Sequence, residues 1–175
     1  MMRSLLAATL LVLTVSGCTS CSNQKKVEEA QQQQAEDIIE ANRRILEEET
    51  RRIDTYIEER NLEMERSRTG LRYKIEPLGS GPTPQPGEVA TIEYTTHFID
   101  GTVLGPEEKS TMNIWVNQDY TIRGLLEGVQ MLRVGDNAKF ILPSHLAYGV
   151  HGVPGEIPSR ATVVFDVTLI AIKSI

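Results

Sequence analysis

A long stretch in the first half of the chain contains neither glycine nor proline. It runs from residue 24 to residue 68 and is rich in Glu, Gln, Arg, Ala and Leu, which are strong helix formers. We therefore predict one long helix over residues 24–68, with Gly70 just beyond its end. Since a helix rises by about 1.5 Å per residue, it would be roughly 65 Å long and would act as a spacer.

The predicted helix carries a narrow apolar stripe. Ile39, Leu46 and Ile53 recur at heptad spacing, and charged residues of both signs cover most of the remaining surface. Three further isoleucines flank the stripe: Ile38, Ile45 and Ile57. Two interpretations remain open. Either a helix from a second copy of the chain buries the stripe in a homodimer, or the helix is a solvated spacer stabilised by ion pairs between its own turns.

The residues before the helix have the layout of an export signal. Arg3 precedes an apolar run over residues 5–15, which is too short to span a membrane as a stable helix. The run ends in Val-Ser-Gly-Cys, which resembles the lipobox of bacterial lipoproteins. We therefore predict that residues 1–17 are removed and that Cys18 is lipidated, with residues 18–23 as a tether. The alternative, an ordinary signal followed by a Cys18–Cys21 disulfide, is less favoured because so small a ring is usually a redox motif.

Composition and charge exclude several functions. The 175 residues, 40% of them hydrophobic, allow one modest core beside the helix. A net charge of −6 argues against a nucleic-acid partner, which would favour a basic face. His97, His145 and His151 have no carboxylate or cysteine at ligand spacing, and no Ser/His/Asp or Cys/His set is evident. We therefore expect neither a bound metal nor a cofactor.

Beyond Gly70 the hydrophobic pattern changes to period two, which predicts strands. The predicted strands cover residues 71–75, 88–99, 112–116, 137–143 and 161–172. One short helix interrupts them, with an apolar face formed by Ile122, Leu125, Val129 and Leu132. Strands joined by turns rather than by crossover helices predict an antiparallel sheet with the helix packed on one face. Residues 70–175 are thus expected to form an α+β domain.

A few residues fall outside this pattern. Gly79-Ser80-Gly81 is not interpreted as a phosphate loop, because no lysine follows and the nearby prolines forbid the helix that such a loop needs. Trp115 is out of phase with Met112, so we expect it to pack beneath the first strand. Asp166 is out of phase with Phe165, so we expect it to be solvated or bonded to a turn.

Four segments in the second half of the chain together resemble one protein family. In order they are IEYTTHFIDG, YTIRGLLEGVQMLRVGD, LPSHLAYGVHG and IPSRATVVFDVTL. Their order and spacing are similar to those of FKBP-type peptidyl-prolyl cis/trans isomerases, over about residues 79–172. The preceding helix and the motif PSHLAYG resemble a lipid-anchored bacterial subgroup that includes gliding-motility-associated isomerases. The resemblance implies an antiparallel sheet curved around one short helix, and an apolar pocket that binds proline-containing polypeptides.

The resemblance also implies which residues form the pocket. Its catalytic set would be Tyr94, Tyr148, Ile157 and Phe165, and its substrate-binding set Leu104, Met112, Ile122 and Leu125. In the family, the tyrosine hydroxyl of AYG and the backbone N–H of the following isoleucine bind substrate carbonyls. This would make Tyr148 and Ile157 the donors. For Ile122 and Phe165, ordinary core packing explains the residue type nearly as well.

The chain departs from the family pattern at several of these positions. Leu125 replaces the tryptophan that usually floors the pocket, Met112 replaces an aromatic residue, and Leu104-Gly105 replaces a Phe-Asp pair. Val153 and Glu156 replace more typical rim residues. Glu107 or Glu108 would have to substitute for the lost aspartate, and we expect isomerase activity to be reduced.

The sequence thus predicts an isomerase that assists the folding of exported polypeptides. It would be lipid-anchored in the bacterial cell envelope, facing the periplasm. Two alternatives of other classes remain: a non-catalytic chaperone or binding module that uses the same pocket, and an envelope tether whose helix recruits a partner.

Overall fold

The computed structural model describes residues 18–106, 108–117 and 122–174, with side chains from residue 24 onward. The chain divides into two compact units, Met1–Leu46 and Glu47–Ile175. The predicted signal peptide, residues 1–17, and the side chain of the predicted lipidation site, Cys18, lie outside the described part. Within the described residues no helix is both long enough and apolar enough to cross a membrane.

The long helix α1 spans Cys18–Glu59, so it ends earlier than residue 68. The cause is a C-terminal cap that the sequence analysis missed. Asn61 has a left-handed backbone, with φ of 50°. Its N–H donates to the carbonyl of Glu58, and the N–H of Leu62 donates to the carbonyl of Ile57, both at 3.0 Å. These two bonds form a Schellman motif, in which asparagine takes the place more often held by glycine.

In the unit that ends at Leu46, most of the helix surface is exposed to solvent. Ile39 is 67% exposed and Leu46, at the end of that unit, is 49% exposed. Glu40 forms ion pairs with Arg43 and Arg44 at 2.6 and 3.0 Å, one turn apart on the same helix. Such exposed pairs contribute little to stability because water screens them. This part of the apolar stripe is therefore uncovered in a single chain.

Beyond α1, the described residues form one antiparallel sheet of six strands. The strands are β1 (Glu65–Arg66), β2 (Arg72–Glu76), β3 (Val89–Phe98), β4 (Ser110–Trp115), β5 (Asn137–Leu142) and β6 (Val163–Lys173). Their order is β1-β2-β5-β6-β3-β4, and a register shift occurs at Thr91/Ile92, between β3 and β6. Gly70 does not end the helix: it takes φ of 101° in the turn between β1 and β2. The predicted α+β architecture is confirmed.

One face of the sheet packs against the short helix α2, Arg123–Val129. The helix approaches the sheet closely, because a Cβ on Gly128 would come within 2.7 Å of the Phe140 ring. The core between them includes the buried side chains of Leu71, Ile92, Ile114, Leu125, Leu132, Phe140, Leu142, Phe165 and Leu169.

The opposite face of the sheet is partly covered by the end of α1. Ile53, 1% exposed, and Tyr56 pack with Ile141 and Val164. The globular unit therefore includes the last turns of α1, and the predicted boundary at residue 70 falls too late. Ile53 belongs to this core, so the apolar stripe is not one continuous surface for a partner helix.

Two smaller expectations concern Trp115 and Asp166. Trp115 lies on β4, at the opposite edge of the sheet from β1 and β2, and is 47% exposed rather than packed beneath the first strand. Asp166 was expected to be solvated or bonded to a turn; its side chain is 43% exposed and forms an ion pair with Lys139 on the neighbouring strand β5.

Candidate active site

An open hollow of about 650 Å³ lies where β3, β6, the β3–β4 loop and the β5–β6 loop meet. Six of the eight side chains predicted from the family resemblance line it: Tyr94, Leu104, Met112, Tyr148, Ile157 and Phe165. Further lining residues include Phe98, Val103, Pro106, Ser110, Val153 and Glu156. The sheet thus brings together residues that are far apart in sequence.

Two aromatic rings form the inner wall of the hollow. Phe165 on β6 is 1% exposed, and its ring centroid lies 5.9 Å from that of Tyr94 on β3, with the planes tilted by 41°. The two strands pair directly, with Thr96 opposite Phe165. Tilted rings at this separation are a favourable arrangement. Because both rings are also packed against the core, the wall is rigid.

The β3–β4 loop is held by Thr96, a residue that was not predicted to belong to the site. Its buried hydroxyl donates to the carbonyl of Leu104 at 2.5 Å, and the N–H of Leu104 donates to the carbonyl of Thr96 at 2.9 Å. The signal was a hydroxyl at a core-facing position of a strand. These two bonds fix Leu104 at the edge of the hollow.

The β5–β6 loop contributes Tyr148 and Ile157. It begins with a short 3₁₀ helix, Ser144–Leu146, and the N–H of Gly149 then donates to the carbonyl of Ser144 at 2.7 Å. Gly149 has φ of 71° there, a conformation that glycine adopts without strain. The loop is therefore ordered around Tyr148 by its own backbone bonds.

The backbone N–H of Ile157 is already engaged. It donates to the carbonyl of Val153 at 2.8 Å, and the N–H of Val153 donates back to Ile157 at 2.9 Å. A substrate carbonyl would have to share or replace this bond. The N–H of Ile157, predicted to donate to a substrate carbonyl, is thus bonded within the loop in this structure, and its buried side chain lines the hollow.

The hydroxyl of Tyr148 is an available donor at the hollow. The side chain is half-buried, and within the described residues its hydroxyl makes no hydrogen bond. Burial raises the pKa of Tyr148, and the neighbouring Tyr94 and Glu156 raise it further. The hydroxyl therefore stays protonated to a higher pH than an ordinary tyrosine and can donate a hydrogen bond to a carbonyl oxygen.

Two predicted substrate-binding residues lie elsewhere. Leu125 is fully buried in the core on α2, and Ile122, the N-cap residue of α2, packs against that core. In the described part of the chain neither lines the hollow. Glu107 lies outside the described residues, and Glu108 is exposed and does not line the hollow. The expected replacement for the family's aspartate is therefore not seen among the described residues.

The histidines do not form a common site. His97 pairs with the hydroxyl of Tyr56 at 3.2 Å, His145 pairs with the carbonyl of Thr69 at 2.9 Å, and His151 is exposed. Among the residues described, no group of three His, Cys, Asp or Glu side chains could hold a metal ion. Among the described residues, the lining of the hollow consists of apolar side chains, hydroxyl groups and one carboxylate, that of Glu156.

Comparison with known proteins connects this site to one family. The family model described as "FKBP-type peptidyl-prolyl cis-trans isomerase" matches residues 81–170. FkpA of Aeromonas hydrophila, named as such an isomerase, is 40% identical over 105 residues, which is 60% of this chain and 39% of the relative. Outer membrane protein MIP of Legionella longbeachae is 35% identical over 105 residues, 60% of this chain and 45% of the relative. The chain thus spans about two fifths of the length of these relatives.

Solved structures give the same result. FkpA from Escherichia coli superposes with a TM-score of 0.60 at 28% identity, covering 92% of this chain and 75% of that one. An isomerase from Pseudomonas syringae, at 23% identity and a TM-score of 0.59, covers 73% of this chain and 96% of that one and supports the fold alone. Because the family model spans more than half of the sequence, and its match includes every predicted residue of the hollow, the chain belongs to the FKBP-type peptidyl-prolyl cis-trans isomerase family.

Proposed function

We propose that this chain catalyses the cis/trans isomerisation of X-Pro bonds in exported polypeptides. The observation that carries the proposal is an apolar hollow beside the unengaged hydroxyl of Tyr148. Its volume, about 650 Å³, falls within the range of small-molecule sites and suits a prolyl ring with its neighbouring residues.

The reaction requires rotation and no bond cleavage. The planar amide resists rotation by roughly 18–20 kcal/mol because resonance stabilises it, and the uncatalysed X-Pro exchange takes tens to hundreds of seconds. A catalyst has only to bind the twisted amide more tightly than either planar form. A preference of about 7 kcal/mol would accelerate the exchange roughly 10⁵-fold.

Each part of the hollow has a role in this scheme. The rings of Tyr94 and Phe165 form an apolar wall for the proline, and Leu104 and Met112 line the hollow beside them. An apolar environment disfavours the charge-separated resonance form of the planar amide. Tyr148 then donates a hydrogen bond to a substrate carbonyl and holds the flanking backbone while the bond turns.

A second function is favoured by one observation. The N–H of Ile157 is bonded to Val153, so the hollow offers one fewer donor than the family resemblance implies. The family's aspartate is also absent, because Gly105 stands at its position, and this too favours binding over catalysis. A binding module or chaperone would need the apolar hollow but not these polar contacts.

A peptide exchange assay separates the two functions. The full chain is mixed with a peptide of the type Ala-Leu-Pro-Phe, and cis/trans exchange is followed by NMR. Exchange that accelerates in proportion to protein concentration supports the isomerase. Chemical shifts that move on binding, with an unchanged exchange rate at equimolar protein, would leave the binding module.

We further propose that the chain is lipid-anchored in the bacterial envelope and faces the periplasm, like the gliding-motility-associated subgroup that its sequence resembles. The support is the signal-like residues 1–17 followed by Cys18, together with a relative named as an outer membrane protein. Mass spectrometry of the mature N-terminus tests the anchor, since an unmodified Cys18 would exclude it.

A homodimer through α1 is proposed on separate grounds. Ile38 and Ile39 are exposed and Leu46, where the first unit ends, is half exposed, so apolar surface is available to a second copy. Sedimentation of the chain should then show a dimer that Leu46→Glu dissociates. A monomer at all concentrations would support the spacer, or a tether that recruits a different envelope partner.

A further inference from the structure

Helix α1 inserts a carboxylate under the loop that carries Tyr148. Glu49 lies in the same compact unit as the sheet and is only 4% exposed. Its Oε1 accepts a hydrogen bond from the backbone N–H of Ser144 at 2.7 Å and another from the hydroxyl of Thr162 at 3.0 Å. Its Oε2 accepts from the hydroxyl of Ser144 at 3.1 Å. One side chain thus receives three hydrogen bonds.

The two residues bound by Glu49 stand at the two ends of the β5–β6 loop. Ser144 follows the end of β5 at Leu142, and Thr162 directly precedes Val163, the first residue of β6. Both are buried. Because everything between them, including Tyr148 and Ile157, depends on where these ends are held, Glu49 fixes the base of the loop.

The connection continues from Ser144 to the hollow. The carbonyl of Ser144 accepts hydrogen bonds from the N–H groups of Ala147 and Gly149, at 3.1 and 2.7 Å, on either side of Tyr148. The N–H of Arg160 donates to the carbonyl of Gly149 at 3.2 Å and joins the second half of the loop to the first. Only Ser144 separates the Glu49 carboxylate from the backbone that flanks Tyr148.

The burial of this carboxylate indicates a built contact. A carboxylate removed from water is costly unless hydrogen bonds replace its hydration. Among the described residues no cation forms an ion pair with Glu49, so the three donors from the loop supply that replacement. The neighbouring Glu48, by contrast, is exposed and pairs with Arg51 on the same helix at 2.7 Å.

We propose that Glu49 is a positioning residue of the isomerase site, which holds the β5–β6 loop so that Tyr148 stands at the hollow. The inference rests on the proposed isomerase function. It also means that the last turns of α1 are part of the catalytic unit rather than of the spacer.

The test compares three variants of the full chain. Glu49→Met removes all acceptors and keeps an unbranched side chain of similar length. Glu49→Gln keeps the three contacts without the charge, because its carbonyl oxygen can accept from the Ser144 N–H and the Thr162 hydroxyl, while its NH2 group can donate to the Ser144 hydroxyl. Glu48→Met is the matched control for the same change on the exposed side. Activity is measured at a temperature at which every variant is folded.

Glu49→Met should lower kcat/KM on the order of 10-fold, since small misplacement of a positioned group has large kinetic effects. The loss should fall mainly on kcat, because Tyr148 acts most strongly on the twisted amide. Amide hydrogen exchange over residues 144–149 should accelerate in the same variant. Glu49→Gln should restore both quantities to within about 2-fold of the wild type, a rescue expected where geometry rather than charge is required, and Glu48→Met should leave both unchanged.

Unchanged hydrogen exchange and kcat/KM in a folded Glu49→Met would overturn the inference, as would an equal loss in Glu48→Met. If Glu49→Met does not fold, Thr162→Val and Ser144→Ala each remove one donor and should produce smaller losses of the same kind. Failure of the proposed function is distinguishable, since a wild-type chain without isomerase activity would still show whether loop exchange and binding of a proline peptide depend on Glu49.

Discussion

Replacing Tyr148 with phenylalanine removes one hydroxyl from the hollow and leaves the ring in place. The hydroxyl makes no hydrogen bond with any other described residue, so its loss leaves no buried partner unsatisfied. The free energy of unfolding should therefore change by less than about 0.5 kcal/mol, as for a substitution away from structural contacts. Any loss of activity would then come from the contact with substrate.

The size of that loss follows from the value of one hydrogen bond. A neutral hydrogen bond contributes about 0.5–1.5 kcal/mol net, and about 1.36 kcal/mol corresponds to a factor of ten in rate. From these two values, we expect the loss of one hydrogen bond in Tyr148→Phe to lower kcat/KM by roughly 2- to 13-fold. A larger loss would require Tyr148 to support the loop as well.

The assay is NMR exchange on the Ala-Leu-Pro-Phe type peptide, with urea unfolding of each variant alongside. Tyr73→Phe is the matched control, because Tyr73 lies on β2 and its hydroxyl donates to Glu65 at 2.8 Å, outside the hollow. The control should retain full activity. If Tyr148→Phe were as active as the wild type, Tyr148 would not donate to the substrate and the mechanism above would be wrong.

Three further outcomes are expected. Burial, and secondarily the charge of Lys139, lowers the pKa of His97, so the unfolded state takes up its proton more readily. The stability that neutral His97 contributes should therefore be fully present at a pH above its ordinary pKa of 6.5 and should be lost as the pH falls below that value. Thermal unfolding should show this loss in the wild type and a smaller one in His97→Gln. Because the pKa of Tyr148 is raised above the ordinary value of 10.0, any loss of kcat/KM through its ionisation should begin at a higher pH than for an ordinary tyrosine, as a pH–rate profile would show. Ile53→Ala should lower the free energy of unfolding, measured in urea, by about 2–4 kcal/mol, because Ile53 is buried. Ile39→Ala should lower it by less than about 0.5 kcal/mol, because Ile39 is exposed.

Much of the fold followed from pattern alone. The period-two alternation identified the main strands, and the helical spacing of Ile122, Leu125 and Val129 identified α2 and its buried face. The end of α1 was missed because the cap residue is Asn61, and an isolated asparagine in a strongly helical sequence carries little signal. The two-residue strand β1 that follows it gives no periodicity to detect.

The predicted residues of the candidate site are those that lie at positions of the family motifs; residues outside the motifs were not predicted. Motif positions identified six lining residues, but the spacing of Leu125 could not show whether it faces the hollow or the core, since both environments select leucine. Bonds between distant segments, such as Thr96 with Leu104 or Glu49 with Ser144, depend on the folded backbone. Nothing in a charged helix distinguishes Glu49 from its many exposed neighbours before the sheet is in place.

The same limit explains the domain boundary. Ile53 was grouped with Ile39 and Leu46 as one stripe because heptad spacing treats them alike. The structure separates them, since Ile53 packs on the sheet next to Ile141. A truncated chain beginning at residue 70 would lose this contact together with Glu49.

The central claim is that a prolyl ring lies in the hollow between Phe165 and Tyr148 while its peptide bond turns. Intermolecular NOEs between the proline ring of the exchanging peptide and the side chains of the full-length protein test it directly. The account predicts contacts to Tyr94, Leu104 and Phe165 in the same sample in which exchange is accelerated. Contacts confined to the other face of the sheet, where a cleft of about 320 Å³ is lined by Lys74 and Lys139 among others, would contradict it.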